Sequence, residues 1–111
     1  MKKLLPLLFA CLTCLVQSQH ILPEEDRARV VDELLEERFR EVLPRIMDDT
    51  GIDMWILISR EYNEDPVLRT MLPATWLNAR RRTILVFYRN KERDTTERLA
   101  VARYNIGKSI L

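Results

Sequence analysis

Gly51-Ile52-Asp53-Met54-Trp55-Ile56-Leu57-Ile58 is the segment that is most informative about the fold class of this chain. Residues 54–58 are five consecutive apolar side chains rich in isoleucine, which is typical of a β-strand that is covered on both faces. Gly51, just before them, favours the left-handed conformation that ends a helix. A helix, a glycine cap and a buried strand in this order predict an α/β domain.

The residues before Gly51 predict one long amphipathic helix that starts near Pro23. Proline is tolerated in a first helical turn, and the acidic residues 24–26 suit the positive end of the helix dipole. Apolar side chains then recur with a period near 3.6 as far as Met47, and the other side is mostly acidic. An acidic polar face favours core packing over binding to a membrane surface. Pro44 predicts a kink or a restart.

Two more apolar segments, residues 83–88 and 98–104, predict an antiparallel hairpin whose turn lies in the polar residues 89–97. The first two predicted strands both look covered on two faces, but only one long helix is available to cover them. Because each apolar face of a β-layer needs a packing partner, we expect one layer to be missing. The sequence therefore predicts a truncated α/β domain whose remaining elements lie beyond Leu111 or come from a partner.

The first 18 residues are predicted to be a secretory signal peptide. A short basic start precedes an apolar run over residues 4–16, and Val16 and Ser18 suit a signal-peptidase site. The run is too short for a transmembrane span. We therefore expect an exported protein, periplasmic or secreted, with residues 19–111 as its mature part. Lipid anchoring at Cys11 is a less favoured alternative, because the apolar stretch before it is short and contains Pro6.

Composition excludes several classes of function. The 111 residues are 47% apolar and 32% charged, with 18 basic and 17 acidic side chains, which is the composition of a globular domain. A net charge of +1 gives no electrostatic reason to expect a nucleic-acid partner. One His and two Cys nearly exclude a structural zinc site made by this chain alone.

The loop between the first two predicted strands is where a functional site is expected, because such loops line the crevices of α/β sheets. Glu61, Asn63 and Asp65 look like the start of a calcium loop. However, Pro66 and Leu72 occupy the positions that require a glycine and a bidentate glutamate. The favoured interpretation is that Asp65 caps a short helix that begins at Pro66.

An apolar cluster in the same loop has two interpretations. Met71, Leu72, Trp76 and Leu77 are explained by core packing, and tryptophan beside arginine is also what interfaces use. The run of arginines at 80–82 favours a solvated strand entrance over a nucleic-acid site, because the chain is almost neutral.

Catalysis by this chain alone is not favoured. The carboxylates at 61, 64 and 65 lie in a highly charged loop that is expected to be solvated, whereas acid–base catalysis needs a buried carboxylate or a close like charge. A hydrolase acting through Ser59 or Ser109 lacks a partner base, because His20 lies at the mature terminus.

Several blocks of the chain carry a family resemblance. The blocks are Gly51-Ile52-Asp53-Met54-Trp55-Ile56-Leu57-Ile58-Ser59-Arg60-Glu61-Tyr62-Asn63-Glu64-Asp65-Pro66, Met71-Leu72-Pro73-Ala74-Thr75-Trp76 and Arg80-Arg81-Arg82-Thr83. They resemble the amino-terminal domain of the creatinase/prolidase/Xaa-Pro aminopeptidase family, and exported bacterial members most. The resemblance extends from about Arg27 to Leu111. It implies a three-layer α/β/α domain with a mixed sheet, related to the ribonuclease-H-like architecture.

The same resemblance implies an accessory function. In such proteins a following pita-bread domain uses two Asp, one His and two Glu to bind two Mn, Co or Zn ions, and a metal-bound hydroxide attacks the bond before proline. None of those ligands maps onto this chain, so no catalytic, cofactor or metal residue is expected in it. The implied partners are the catalytic domain in cis, a second copy in a homodimer, and proline-containing peptides reached through the full enzyme.

The expected function is therefore that of a non-catalytic domain, inactive alone, which shapes the substrate entrance and makes dimer contacts. The alternative is a free-standing secreted α/β module for binding or dimerisation. The candidate residues for the entrance or interface are Arg60, Glu61, Tyr62, Asn63, Asp65, Trp76 and Arg80.

Overall fold

The computed structural model of the protein describes residues 21–110. The predicted signal peptide, the candidate anchor Cys11 and His20 lie outside them. The described elements, in chain order, are α1 (Glu24–Glu37), a π-helical segment (Arg38–Val42), α2 (Leu43–Thr50), β1 (Met54–Arg60), α3 (Pro66–Thr70), β2 (Arg82–Asn90) and β3 (Thr95–Val101). The chain is a small mixed α/β domain with a three-stranded antiparallel sheet and one long helix.

The long helix changes its geometry in front of Pro44. The N–H of Leu43 donates to the carbonyl of Arg38, five residues back, which closes a π-helical turn. Pro44 has no N–H to offer Arg40, so the helix widens by one residue and restarts as α2 with the proline in its first turn. The interruption predicted at Pro44 is confirmed.

Gly51 ends α2 as predicted. Its φ of 69° and ψ of 24° lie in the left-handed region, and its N–H donates to the carbonyl of Asp48. The N–H of Ile52 then reaches the carbonyl of Met47 at 2.9 Å, which satisfies a second helix-end acceptor. The chain reverses there and enters β1 after two further residues.

The sheet has the order β1-β2-β3, and both neighbouring pairs are antiparallel. The predicted hairpin is confirmed, but its turn is shorter and its third strand begins earlier than predicted. Asn90 pairs with Thr95, so the loop is only residues 91–94, and β3 begins three residues before the predicted start at Arg98. Thr95 and Thr96 are β-branched and extend the ladder, although their polarity suggested a loop.

The core lies on one side of the sheet, under the long helix. Phe39, Leu43 and Met47 from the helix are buried with Leu57 of β1 and Phe87 of β2. The rings of Phe39 and Phe87 are 5.7 Å apart and tilted, which is a favourable aromatic arrangement. One helix therefore covers one face of the sheet.

The other face of the sheet is uncovered in the described part of the chain. We call it the open sheet face, and its aliphatic members are Met54, Ile56, Ile58, Ile84, Val86, Leu99 and Val101. Burial alternates strictly along β1: Leu57 is 5% exposed, whereas its neighbours Ile56 and Ile58 are 50% and 67% exposed. The expectation that β1 and β2 are covered on both faces is not met within residues 21–110, and the shortage of covering helices is confirmed.

In residues 21–110, no helix combines the length and the apolar character that crossing a lipid bilayer requires.

Candidate functional site

The loop after β1 is folded tightly against the end of that strand. The buried Ser59 hydroxyl accepts from the N–H of Asp65 at 3.1 Å and lies 3.4 Å from the carbonyl oxygen of Asn63. Asn63 also forms a β-bridge with Arg60. The Ser59 hydroxyl therefore has a structural role, because it holds the loop against the strand. Tyr62 points outward from this loop, where it is fully exposed at a left-handed φ of 67°.

Asp65 caps α3, which confirms the favoured interpretation that it caps a short helix beginning at Pro66. Its Oδ1 accepts from the N–H of Val67 at 2.7 Å, and Pro66 occupies the first turn. The nearby Glu64 is also engaged, since its Oε1 accepts from the N–H of Ala79 at 3.0 Å. Across residues 21–110, no three His, Cys, Asp or Glu side chains are grouped to hold a metal ion.

The apolar cluster of the loop divides between core and surface. Met71, Leu72 and Trp76 are buried in the core, with Trp76 only 9% exposed. Leu77, the next residue, is exposed and lines a shallow groove on the surface. This loop groove brings together two of the sequence candidates with four other side chains, and it is lined by Glu61, Tyr62, Glu64, Arg69, Leu77 and Asn78.

Arg80 links the buried tryptophan to the surface. Its Cζ lies 5.8 Å from the Trp76 ring centroid and 5.9 Å from that of Tyr104, so the guanidinium contacts two aromatic rings. Arg103 also contacts Tyr104, with its Cζ 5.3 Å from the ring centroid. The candidate Arg80 therefore holds the segment before β2 against the segment after β3.

A group of arginines gathers at this end of the sheet. Arg60, the last residue of β1, pairs in register with Arg82, the first residue of β2. We call this the arginine end, and its members are Arg60, Arg80, Arg81, Arg82 and Arg103. None of the five forms an ion pair with another residue of the described segment 21–110. Their positive charge is therefore left for a partner or for solvent.

The sequence candidates thus fall into three environments. Tyr62 and Glu61 line the loop groove, and Arg60 and Arg80 belong to the arginine end. The remaining candidates serve the fold, and they are Asn63, Asp65 and Trp76.

Sequence reasoning missed a buried arginine on the covered side of β2. Arg89 is 8% exposed, and its guanidinium donates to Asp48 of α2 and to Asp94 of the hairpin loop. These hydrogen bonds raise the pKa of Arg89, and the hydrogen bond from Arg89 lowers the pKa of Asp48 below its ordinary 3.8. Strand parity was the available signal, because residues 85, 87 and 89 all point to the core.

Comparison of the chain with protein-family models, with curated proteins and with solved structures found no match. The family resemblance drawn from residues 51–83 therefore stays a hypothesis.

Proposed function

We propose that this chain is the non-catalytic amino-terminal domain of an exported metallopeptidase of the Xaa-Pro aminopeptidase type. In this role it shapes the substrate entrance and makes dimer contacts, and the metal chemistry belongs to a catalytic domain that it accompanies. The finer architecture proposed with it is the three-layer α/β/α domain with a mixed sheet.

The observation that carries this proposal is the open sheet face. An antiparallel sheet can leave one face in water, but that face is then mostly polar. In this chain the uncovered face is aliphatic, and each uncovered aliphatic side chain forfeits about 1.5–3 kcal/mol of burial. Here Ile58 and Val101 are 67% and 65% exposed beside a well-packed opposite face. A contiguous aliphatic patch of this kind marks a surface that packs against other protein. An accessory domain of a larger enzyme explains it directly.

The loop groove is the part of the domain we assign to the substrate entrance. Tyr62 and Leu77 project from it with almost no contact to the rest of the described chain, although one is aromatic and the other aliphatic. Glu61, Glu64 and Arg69 surround them with both signs of charge. Such a surface suits contact with a peptide or with the neighbouring subunit of a dimer, because exposed aromatic side chains anchor interfaces.

The proposal is tested by reconstitution. The purified chain is mixed with the catalytic domain of an exported Xaa-Pro aminopeptidase from which the amino-terminal domain has been deleted, and hydrolysis of an Xaa-Pro peptide is measured with added Mn²⁺. We expect no turnover by the chain alone, complex formation with the catalytic domain, and a changed KM in the mixture. The matched variants Tyr62→Ser and Tyr88→Ser separate the loop groove from the open sheet face, on which Tyr88 of β2 lies opposite Met54. Turnover by the chain alone, or failure to form the complex, contradicts the proposal.

A second candidate function is a free-standing secreted module for binding or dimerisation. The exposed Tyr62 and Leu77 favour it, because an aromatic and an aliphatic side chain in one groove form a small interface anchor without any further domain. Light scattering of the chain and of the double variant Tyr62→Ser, Leu77→Ser tests it. A dimer that the double variant abolishes, together with a cooperative unfolding transition, favours the module; a monomeric chain excludes dimerisation through the groove.

A further inference from the structure

The arginine end brings together guanidinium groups that lie far apart in the amino-acid sequence. Arg60 closes β1 and Arg82 opens β2, and the two residues are direct cross-strand partners. Val101, the last residue of β3, pairs with Ile84, so Arg103 lies at the same end of the sheet. The sequence alone showed a run of three arginines before β2, and the sheet adds one arginine from each side of that run.

The positive charge at this end is not neutralised by the described part of the chain. Within residues 21–110, none of the five side chains forms an ion pair, and none appears among the side-chain hydrogen bonds. Arginines elsewhere do pair with carboxylates, and they are Arg29, Arg40, Arg89 and Arg98. Glu61 follows Arg60 in sequence, but it lines the loop groove. The charge is therefore available to a ligand.

The pairing of Arg60 with Arg82 is unfavourable when nothing lies between the two side chains. Cross-strand partners in an antiparallel pair have Cα atoms about 4.5–5.5 Å apart, and like charges directly opposite each other destabilise the sheet. Both residues are exposed, so water reduces this repulsion. An anion bound between the two guanidinium groups replaces the repulsion by attraction to both.

The arginines beside this pair are held in place. The Arg80 guanidinium contacts the rings of Trp76 and Tyr104, which restricts its side chain. Arg81 has a left-handed φ of 54°, which is uncommon for a residue with a Cβ, and its carbonyl accepts from the N–H of Glu61 at 2.9 Å. That hydrogen bond fixes the segment before β2 to the residue that follows β1. Less side-chain and backbone freedom is therefore lost when a ligand binds.

The ligand that fits these groups carries several oxyanion charges close together. A guanidinium group donates two parallel hydrogen bonds to a phosphate group, and arginine suits this contact better than lysine does. A single carboxylate compensates one arginine, whereas neighbouring phosphate groups compensate several. We propose that the arginine end binds a ligand with two or more adjacent phosphate groups, and that Arg60 and Arg82 are its central contacts. This goes beyond the function proposed above, because it requires neither a catalytic domain nor a second copy of the chain.

Nucleic acid fits the arginine end less well than a compact phosphate ligand does. A duplex is bound through basic side chains that follow several phosphates along its backbone, whereas this chain has a net charge of only +1 and its arginines gather at one end of a small sheet. The adjacent phosphates have two sources, which are a soluble polyphosphate compound and a lipid headgroup. The same guanidinium contacts recognise both, and the experiment separates them.

The test measures binding of inorganic tripolyphosphate and of orthophosphate to the full chain by calorimetry. We expect tripolyphosphate to bind at least about tenfold more tightly, because it contacts several arginines at once, to raise the melting temperature, and to weaken at high salt. Flotation with phosphatidic-acid vesicles identifies the source: vesicle binding that tripolyphosphate displaces indicates a headgroup, and tripolyphosphate binding without vesicle binding indicates a soluble ligand. Absence of tripolyphosphate binding, equal affinity for orthophosphate, or tighter binding of duplex DNA overturns the proposal.

Substitutions locate the site. Arg60→Gln, Arg82→Gln should weaken tripolyphosphate binding at least about tenfold and, without ligand, should melt no lower than the unchanged chain, because a like-charge pair is removed. Arg60→Lys, Arg82→Lys keeps the charge but loses the paired hydrogen bonds, so an intermediate loss is expected. Arg103→Gln, outside the strands, should also weaken binding if the strand variants fail to fold.

The matched control is Arg27→Gln, Arg45→Gln, which removes the same charge from exposed positions of the long helix. It should leave tripolyphosphate binding unchanged. A loss of binding in the control as large as that in Arg60→Gln, Arg82→Gln would show attraction to overall charge and overturn the proposed site.

Discussion

Arg89 of β2 reaches across the interface between sheet and helix to Asp48 of α2, and its Nη2 lies 2.8 Å from Oδ2 of the carboxylate. The same guanidinium donates to Asp94, 2.6 Å away, in the loop between β2 and β3. One buried arginine therefore joins the end of the long helix to the hairpin. Because Asp94 is exposed and Asp48 less so, we expect Asp48 to dominate the effect on stability.

Asp48→Asn should remove the part of the folding stability that is lost when the pH is lowered. The pKa of Asp48 is lower in the folded chain than its ordinary 3.8, so the folded state binds fewer protons than the unfolded state between the two values. The contribution is complete above the unfolded pKa and is lost as pH falls below about 4 through the folded pKa. Urea midpoints measured from pH 2.5 to 7 should fall less steeply at the acid end in Asp48→Asn. Asp49→Asn, one residue along, is the control; equal slopes in all three proteins would contradict the prediction.

Leu35→Ala and Leu34→Ala form a matched pair on α1. Leu35 is 2% exposed and lies in the core, so its truncation should lower the free energy of unfolding by about 2–5 kcal/mol. Leu34 is 50% exposed, so its truncation should change the value by about 0.5 kcal/mol or less. Helix propensity cancels between the two, because both replace leucine by alanine in one helix. Guanidinium unfolding measures the difference, and similar losses at both positions would refute the packing described.

Asp65→Ala should cost about 1 kcal/mol of stability, because it removes the acceptor for the N–H of Val67 at the start of α3. Asp65→Ser retains a capping oxygen and should recover most of the loss. Thermal unfolding of the three proteins checks the order of stability. A serine variant no more stable than the alanine variant would show that the side chain of Asp65 contributes through something other than capping.

Gly51→Ala should lower the free energy of unfolding by about 1–2 kcal/mol, because an alanine at φ 69° meets the left-handed penalty. Nothing lies within 4 Å of the added Cβ, so the cost comes from the backbone and not from a clash. Gly51→Asn should cost less, since asparagine tolerates this conformation. Chemical denaturation ranks the three proteins, and equal stability of the asparagine and alanine variants would argue against the left-handed cap.

Ile58→Lys and Leu57→Lys test the two faces of β1. Ile58 points to the open sheet face, so its replacement should raise solubility and reduce binding of an apolar dye with little loss of folding. Leu57, the preceding residue, points to the core, and a buried lysine there should prevent folding. Dye fluorescence measures the exposed apolar surface, and circular dichroism measures whether each variant is folded. Loss of fold in Ile58→Lys would mean that this face is covered.

The local elements of the fold could be predicted from the amino-acid sequence alone. Several features depend only on residues within a few positions of one another. They are the long helix, the interruption at Pro44, the cap at Gly51, the central residues of β1 and the cap by Asp65. The hairpin could also be predicted from the sequence, but its strand register could not. A ladder is set by cross-strand pairing such as Asn90 with Thr95, and polar composition misplaced the start of β3.

The side of the sheet that the helix covers is set by packing between distant segments. A run of apolar residues without alternation does not indicate which face of the strand is buried. The burial of Leu57 and the exposure of Ile58 therefore depend on where the one long helix packs. The pairing of Arg89 with Asp48, forty-one residues away, and the burial of Trp76 arise in the same way. These contacts join distant segments, and no local pattern specifies them.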